Sequence, residues 1–174
     1  MVMVAERNIT DFVPDGTNDR TLRDAFGRFA TGVTIVTAMT EDGPVGITAN
    51  SFSSLSMDPP LVLWSPDKNS RRYGYFAQAD RFAIHVLAAD QEALCWRVAK
   101  DGFALAENEW TQSPNGCPVL TDSLARFECA HHASFDGGDH TIIVGRVLRA
   151  AFETGRDALG FFGGKAGRFA APTE

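Results

Sequence analysis

The stretch Gly32-Val33-Thr34-Ile35-Val36-Thr37-Ala38-Met39-Thr40-Glu41-Asp42-Gly43-Pro44-Val45-Gly46-Ile47-Thr48-Ala49-Asn50 decides the fold. Residues 33–37 are all β-branched, and such side chains suit a pleated, half-buried surface better than a helix. Glu41-Asp42-Gly43 supplies a hairpin turn, because Asp-Gly tolerates the positive φ that tight hairpins need. Residues 45–49 then return as the partner strand. The opening element of the domain is therefore predicted to be an antiparallel hairpin.

On the N-terminal side, residues 1–18 read as an arm interrupted by Pro14, Asp15, Gly16 and Asn18. Residues 19–174 read as one domain. A helix is predicted from a Thr17 or Asn18 cap, with Leu22, Ala25, Phe26 and Phe29 on one face and Gly32 ending it. On the C-terminal side, Pro59-Pro60 breaks the chain before a strand at 61–64. Ser70 caps a short helix through Ala77, residues 81–87 form a strand, and Asp90 caps a helix to about Ala99. Residues 100–122 read as a long irregular loop. Two long strands follow, 124–135 and 140–152, joined by Asp136-Gly137-Gly138-Asp139. In the first, alternation places Phe127, Cys129, His131, Ala133 and Phe135 on one face, with His131 in the core and His132 outside. The tail, 158–169, is aromatic and rich in glycine. Many strands, hairpin connections and few short helices predict an antiparallel barrel rather than alternating βαβ units.

Composition narrows the function. The chain has 174 residues, 44% of them hydrophobic, and a net charge of -6 from 16 Lys+Arg against 22 Asp+Glu. That length and apolar fraction make one globular domain. An acidic chain without a basic run is a poor nucleic-acid binder, since phosphate contacts need clustered Lys and Arg. No apolar stretch approaches the ~20 residues of a membrane span. Cys95, Cys117 and Cys129 are odd in number and widely spaced, so no disulfide framework is expected and a cytoplasmic location is.

Familiar reactive motifs are missing. There is no G-x-G-x-x-G, so a dinucleotide would not sit on a Rossmann turn. Gly160-Phe161-Phe162-Gly163-Gly164-Lys165 is one residue too short for a phosphate loop, and Ala166 stands where Ser or Thr must hold Mg²⁺. His131 and His132 point to opposite faces of a strand, so they cannot chelate one metal, and no metal site is expected.

Three segments carry what chemistry there is. In Thr48-Ala49-Asn50-Ser51-Phe52-Ser53-Ser54-Leu55-Ser56-Met57, small hydroxyl and amide side chains offer donors without bulk to an extended polar ligand. The same composition also suits a plain connector. Lys68-Asn69-Ser70-Arg71-Arg72 lies at a predicted helix start, where anions collect. Gly137-Gly138-Asp139-His140 is a hairpin turn on its own terms, but it sets His140 at the rim of the predicted barrel.

The ordered set of Phe26-x-x-Phe29-Ala30-Thr31-Gly32-Val33-Thr34-Ile35-Val36-Thr37, residues 46–63, Lys68-Asn69-Ser70, Arg81-Phe82-x-x-x-Val86-Leu87, Gly138-Asp139-His140 and Phe161-Phe162-Gly163-Gly164 resembles the short-chain flavin reductase family. The likeness runs from about Leu22 to Phe169. It implies a mainly β, split β-barrel of Greek-key type with a few short flanking helices, dimerising with flavin near the subunit interface. By position, Thr48, Ala49, Asn50, Ser51 and Phe52 would line the flavin ring and ribityl chain, and Ser54 and Leu55 would continue that wall. Asn69, Ser70 and Arg71 match the segment approaching the flavin phosphate. His140 matches the histidine beside the nicotinamide, with Phe162, Gly163 and Gly164 on the other side. One departure stands in the tail: family members often carry a tyrosine shortly after the aromatic pair, where this chain has Lys165-Ala166-Gly167.

The resemblance implies an NAD(P)H:flavin oxidoreductase that passes a hydride from NADH or NADPH to FMN or FAD and supplies reduced flavin to a separate oxygenase. It also implies a homodimer, which would cover Phe161, Phe162 and Phe169 of the tail. Two other functions fit the same segments: a flavoprotein reducing a corrinoid or ferric complex, and a flavin-binding module without nicotinamide activity. Hydride transfer needs stacking and electrostatic tuning rather than a carboxylate dyad, which agrees with the residue types present.

Overall fold

A computed structural model describes residues 8–170. Residues 1–7 of the expected arm and residues 171–174 lie outside the described residues. The chain begins its regular structure with helix α1 (Asp19–Phe26) and the short strand β1 (Thr31–Gly32). The predicted hairpin follows as β2 (Thr34–Thr40) and β3 (Gly43–Ala49), with Thr40 facing Gly43 and Gly43 at φ 106°. A second hairpin, β4 (Ser53–Met57) and β5 (Pro60–Trp64), comes next, then helix α2 (Tyr73–Ala77) and strand β6 (Arg81–Val86). Helix α3 (Glu92–Lys100) precedes a small hairpin, β7 (Trp110–Gln112) and β8 (Pro118–Leu120). The long pair β9 (Ala125–Gly137) and β10 (His140–Phe152) and the closing hairpin β11 (Ala158–Phe162) and β12 (Lys165–Phe169) complete it.

Seven strands form one antiparallel sheet in the order β3-β2-β6-β9-β10-β5-β4. Its two edge strands, β3 and β4, are consecutive in sequence and joined by residues 50–52 alone. Laid flat, the edges would stand about 29 Å apart. The linker spans at most about 14 Å. The sheet therefore has to curl until its edges approach, yet among the described residues β3 and β4 do not pair. The result is a mainly β barrel that is split, with Asn50, Ser51 and Phe52 in the seam. Ser51 laces it: its Oγ accepts the Ser65 N–H at 2.9 Å and donates to the Ser65 carbonyl at 3.2 Å.

Strand β2 is buried on both faces, and this explains its unbroken β-branched run. Val36 packs inside the curl with Trp64, Phe76, Phe82 and Ile143, while Ile35 faces Leu87, Val98 and Leu159 outside it. Gly145 is required at its place, because a Cβ there would stand 2.6 Å from the Phe82 ring. Gly163 and Gly164, with φ of 57° and 79°, make the two-residue β11–β12 turn that L side chains disfavour.

Several local expectations are corrected. Helix α1 ends at Phe26, well before Gly32, and buries no residue; Phe26 and Phe29 are exposed. Helix α2 begins at Tyr73 rather than at Ser70, so Asn69, Ser70 and Arg71 occupy a turn. Asp90 does not cap α3; the side chain of Gln91 accepts the Ala88 N–H instead. The 100–122 segment contains the β7–β8 hairpin. His131 is exposed and bonds Ser134 at 2.8 Å. A bulge in β9 puts His132 between the pairs Ala133–Val144 and His131–Gly145, which breaks the alternation that assigned His131 to the core.

The buried histidine is His85 on β6. Its Nε2 accepts the Leu120 N–H at 3.1 Å, so Nδ1 carries the proton and donates to the Ile35 carbonyl at 3.0 Å. Desolvation, the main cause, holds its pKa down at about 4.

Candidate functional site

A trough runs along the split in the barrel, made of three adjoining clefts. The first, about 240 Å³, is largely apolar: Val33, Cys95, Trp96, Phe161 and Ala166 surround the Thr48–Ala49–Asn50 end of β3. The second, about 310 Å³, shares Thr48, Ala49, Asn50 and Ala99 with it and adds Ser51, Asp67, Ser70, Arg72 and His140. The third, about 710 Å³, shares Ser70 and Arg72 and opens toward Arg71, Tyr75, Lys100 and Phe103.

Each wall is held for a physical reason. Thr48 Oγ1 donates to the Cys95 carbonyl at 2.9 Å, tying β3 to α3. The Arg72 guanidinium donates to the Val98 carbonyl at 2.6 Å and the Ala99 carbonyl at 2.9 Å, two groups that the end of α3 leaves without helical partners. Burial lowers the Arg72 pKa, with the nearby Arg71 cation acting in the same direction. Arg72 is thus structural. Arg71 is exposed and holds no carboxylate among the described residues, so it is the cation of the pair left for an anionic ligand.

His140 opens β10 beside an isolated bridge to Asp67. The Lys68 N–H donates to the Asp139 carbonyl at 2.9 Å and the Thr141 N–H to the Pro66 carbonyl at 3.1 Å. Lys68 Nζ clamps the hairpin tip through Asp136 and the Gly138 carbonyl. His140 Nδ1 donates to Asp139 at 2.8 Å, and this bond is the leading cause that lowers the Asp139 pKa. Nε2 is left without a partner among the described residues. Such an arrangement fixes the ring and leaves one nitrogen for a ligand.

The structure brings Thr48, Ala49, Asn50, Ser51, Ser70 and His140 to the trough's centre, with Asn69 and Arg71 along the third cleft. Other sequence-derived positions lie elsewhere in the single chain. Phe52 stacks on Phe127 at 5.5 Å, and Ser54 and Leu55 are exposed on edge strand β4. Phe162, Gly163 and Gly164 form the β11–β12 tip against α1: Gly163 donates to the Gly27 carbonyl at 2.8 Å, and Arg28 lies over the Phe162 ring. Sequence reasoning missed Trp96, Ala99, Phe161 and Ala166. Cys95, Trp96 and Ala99 share a helix face, but nothing in the sequence says that this face meets the end of β3.

A further groove, about 580 Å³, lies between Asp90, Gly155, Arg156 and Arg168. Its cations are committed: Arg156 to Asp122, Glu153 and Asp90, and Arg168 to Asp157. The trough is therefore the better ligand site. It offers an apolar slot for a planar ring, a small polar wall for a hydroxylated chain and an uncommitted cation for a terminal anion. Those are the parts of a flavin nucleotide, and the residues present fit one.

The fold and the trough define a split-barrel protein built for a planar, anionic cofactor. Residues 26–170 match the model of the flavin reductase like domain, and the chain belongs to that family. It is 56% identical over 158 residues to FMN reductase (NADH) SmoA of Agrobacterium fabrum, covering 91% of this chain and 90% of that one. It is 43% identical over 129 residues to the flavin-dependent monooxygenase reductase subunit HsaB of Rhodococcus jostii, covering 74% and 66%. Among solved structures, the Streptomyces globisporus NADH:FAD oxidoreductase SgcE6, in complex with NAD and FAD fragments, superposes with a TM-score of 0.84 at 36% identity, covering 92% and 98%.

Proposed function

We propose that this chain is a flavin reductase that moves a hydride from NADH or NADPH to FMN or FAD and releases reduced flavin to a separate oxygenase. The observation that carries the reading is the trough, where an apolar slot, a small polar wall and a cleft holding Arg71, which has no carboxylate partner among the described residues, adjoin one another. The named activities of the similar proteins support it. Bound flavin would supply the hydride acceptor. The chain's own work is positional: Ala49 and Thr48 let a ring approach the backbone, Arg71 and Ser70 hold the anionic end, and His140 orients the incoming ring through Nε2. Hydride transfer itself needs no acid–base pair from the chain.

The test is anaerobic addition of NADH to the flavin-loaded protein. Bleaching of the oxidised flavin absorbance is the expected result. An unchanged spectrum would reduce the chain to a flavin-binding module.

Three finer statements belong to the same reading. The chain works as a homodimer: Phe26, Phe29, Met57 and Phe152 are 69%, 78%, 92% and 79% exposed, more apolar surface than an isolated subunit usually leaves open. Sedimentation at micromolar concentration should give twice the chain mass. FAD is accepted as well as FMN, because the trough continues past the phosphate end. A cytoplasmic location fits three free, buried cysteines, the thiol of Cys129 being pushed up to about 12 by burial and so kept unreactive.

A further inference from the structure

The turn that carries Ser70 and Arg71 is joined on both of its flanks to the hairpin that carries His140. Before the turn, the Pro66 carbonyl accepts the Thr141 N–H at 3.1 Å, the Lys68 N–H donates to the Asp139 carbonyl at 2.9 Å, and Asp67 bridges His140. After it, the Tyr73 hydroxyl and Thr141 Oγ1 share a hydrogen bond of 2.8 Å. Thr141 is buried and is the chain neighbour of His140. Between these flanks the turn is closed on itself. The Ser70 N–H donates to the Asp67 carbonyl at 3.0 Å, and the Tyr73 N–H donates to the Ser70 carbonyl at 2.9 Å. Arg72 adds nothing to this link, since its guanidinium is bonded to the end of α3. A segment tied to a strand at one end can hinge; one tied at both ends moves with that strand, and a continuous hydrogen-bonded chain of this kind carries coupling between its two ends.

We propose that Tyr73 is a positioning residue, acting through Thr141 so that an anion held at Ser70 and Arg71 also fixes His140. The proposal rests on the reading of the trough as a flavin site. The flavin phosphate takes no part in hydride transfer, yet through this link it raises the rate of the transfer as well as the affinity. Tyr73 touches neither ring; its hydroxyl only makes the turn and the His140 strand move as one body.

The test is single-turnover reduction by NADH, at saturating flavin, of FMN and of riboflavin, which has the same ring and no phosphate. The parent should reduce FMN about tenfold faster than riboflavin, the size of one charge-assisted contact. In Tyr73→Phe the FMN rate should fall about fivefold, the size of one hydrogen bond, while the riboflavin rate and the FMN dissociation constant stay within about twofold. Thr141→Ser should keep the parent rates, since a hydroxyl remains. Thr141→Val should behave like Tyr73→Phe, and the two together should lose no more than either alone, because a single bond is broken. Equal saturated rates for the two flavins in the parent would overturn the proposal. So would a loss in Tyr73→Phe shared by both flavins, the sign of a merely structural role. Riboflavin that never reaches saturation would overturn it too, because the phosphate would then act on affinity. A parent that binds no flavin, or whose bound FMN is not reduced, overturns the reading of the trough itself, a different outcome from all of these.

Discussion

His85 on β6 and His140 on β10 belong to one sheet, on either side of β9, and their surroundings differ in how each ring is satisfied and buried. In both, Nδ1 donates to an oxygen, the Ile35 carbonyl for His85 and the Asp139 carboxylate for His140. At His85 the second nitrogen is also taken, by the Leu120 N–H, and the residue is fully buried. At His140 the second nitrogen has no partner among the described residues, and the side chain is 41% exposed on the trough. A histidine satisfied at both nitrogens belongs to the fold. One satisfied at a single nitrogen, and held there by a clamped hairpin, is prepared for a ligand.

The comparison is sharpened first by acid. His85 is neutral in the fold, with a pKa of about 4 against an ordinary 6.5. The unfolded chain therefore binds more protons in that window, and this contribution is complete above pH 6.5 and lost as pH falls toward 4. The loss amounts to about 3 kcal/mol. Urea unfolding across that range should show it in the parent. His85→Leu should be less stable at neutral pH and should lack this part of the slope; an identical slope in both would assign it to other groups.

The next effect is kinetic. His140→Ala should slow single-turnover flavin reduction by NADH on the order of 100-fold, the cost of misplacing a reacting ring by about 1 Å. Flavin affinity should stay within about twofold, and stability should move by ~0.5 kcal/mol or less, because His140 fills no core. An unchanged reduction rate at every NADH concentration would return His140 to the role of a turn residue.

Smaller effects divide the anion-binding turn from its support. Ser70→Ala with Arg71→Ala should weaken flavin binding roughly tenfold, one charge-assisted contact, without changing the choice between NADH and NADPH. A changed nicotinamide choice with intact flavin affinity would give the turn to the other cofactor. Lys68→Ala releases the hairpin tip from Asp136 and Gly138 and should slow reduction about threefold, through looser placement of His140. Stopped-flow traces that match the parent would show that the Asp67 bridge holds the tip alone.

The contrast also explains what the sequence disclosed. The β2–β3 hairpin was legible because β-branched residues and Asp-Gly act locally. His140 was legible as the first residue after a glycine turn. His85 was not, since its partner Leu120 lies in a segment whose prolines and glycines read as loop, although that segment pairs as β7–β8. His131 was misplaced because a bulge leaves no mark in an alternating pattern. Trp96 and Phe161 escaped notice because the trough joins α3, β3 and β11, and which elements meet is settled by the curl of the sheet rather than by any one stretch. Helix α1 misled in another way: Leu22, Ala25 and Phe26 of its expected apolar face lie in the helix but are not buried by the single chain, and Phe29 lies beyond the helix end.

A crystal structure of the flavin complex would show directly whether the flavin lies in the seam of the barrel. The expected result is density for the ring over Thr48, Ala49 and Asn50, facing Trp96 and Phe161, with the phosphate at Ser70 and Arg71 and His140 open to the ring's free face. Density for the ring in the groove of Arg156 and Arg168, with the seam filled only by water, would contradict it.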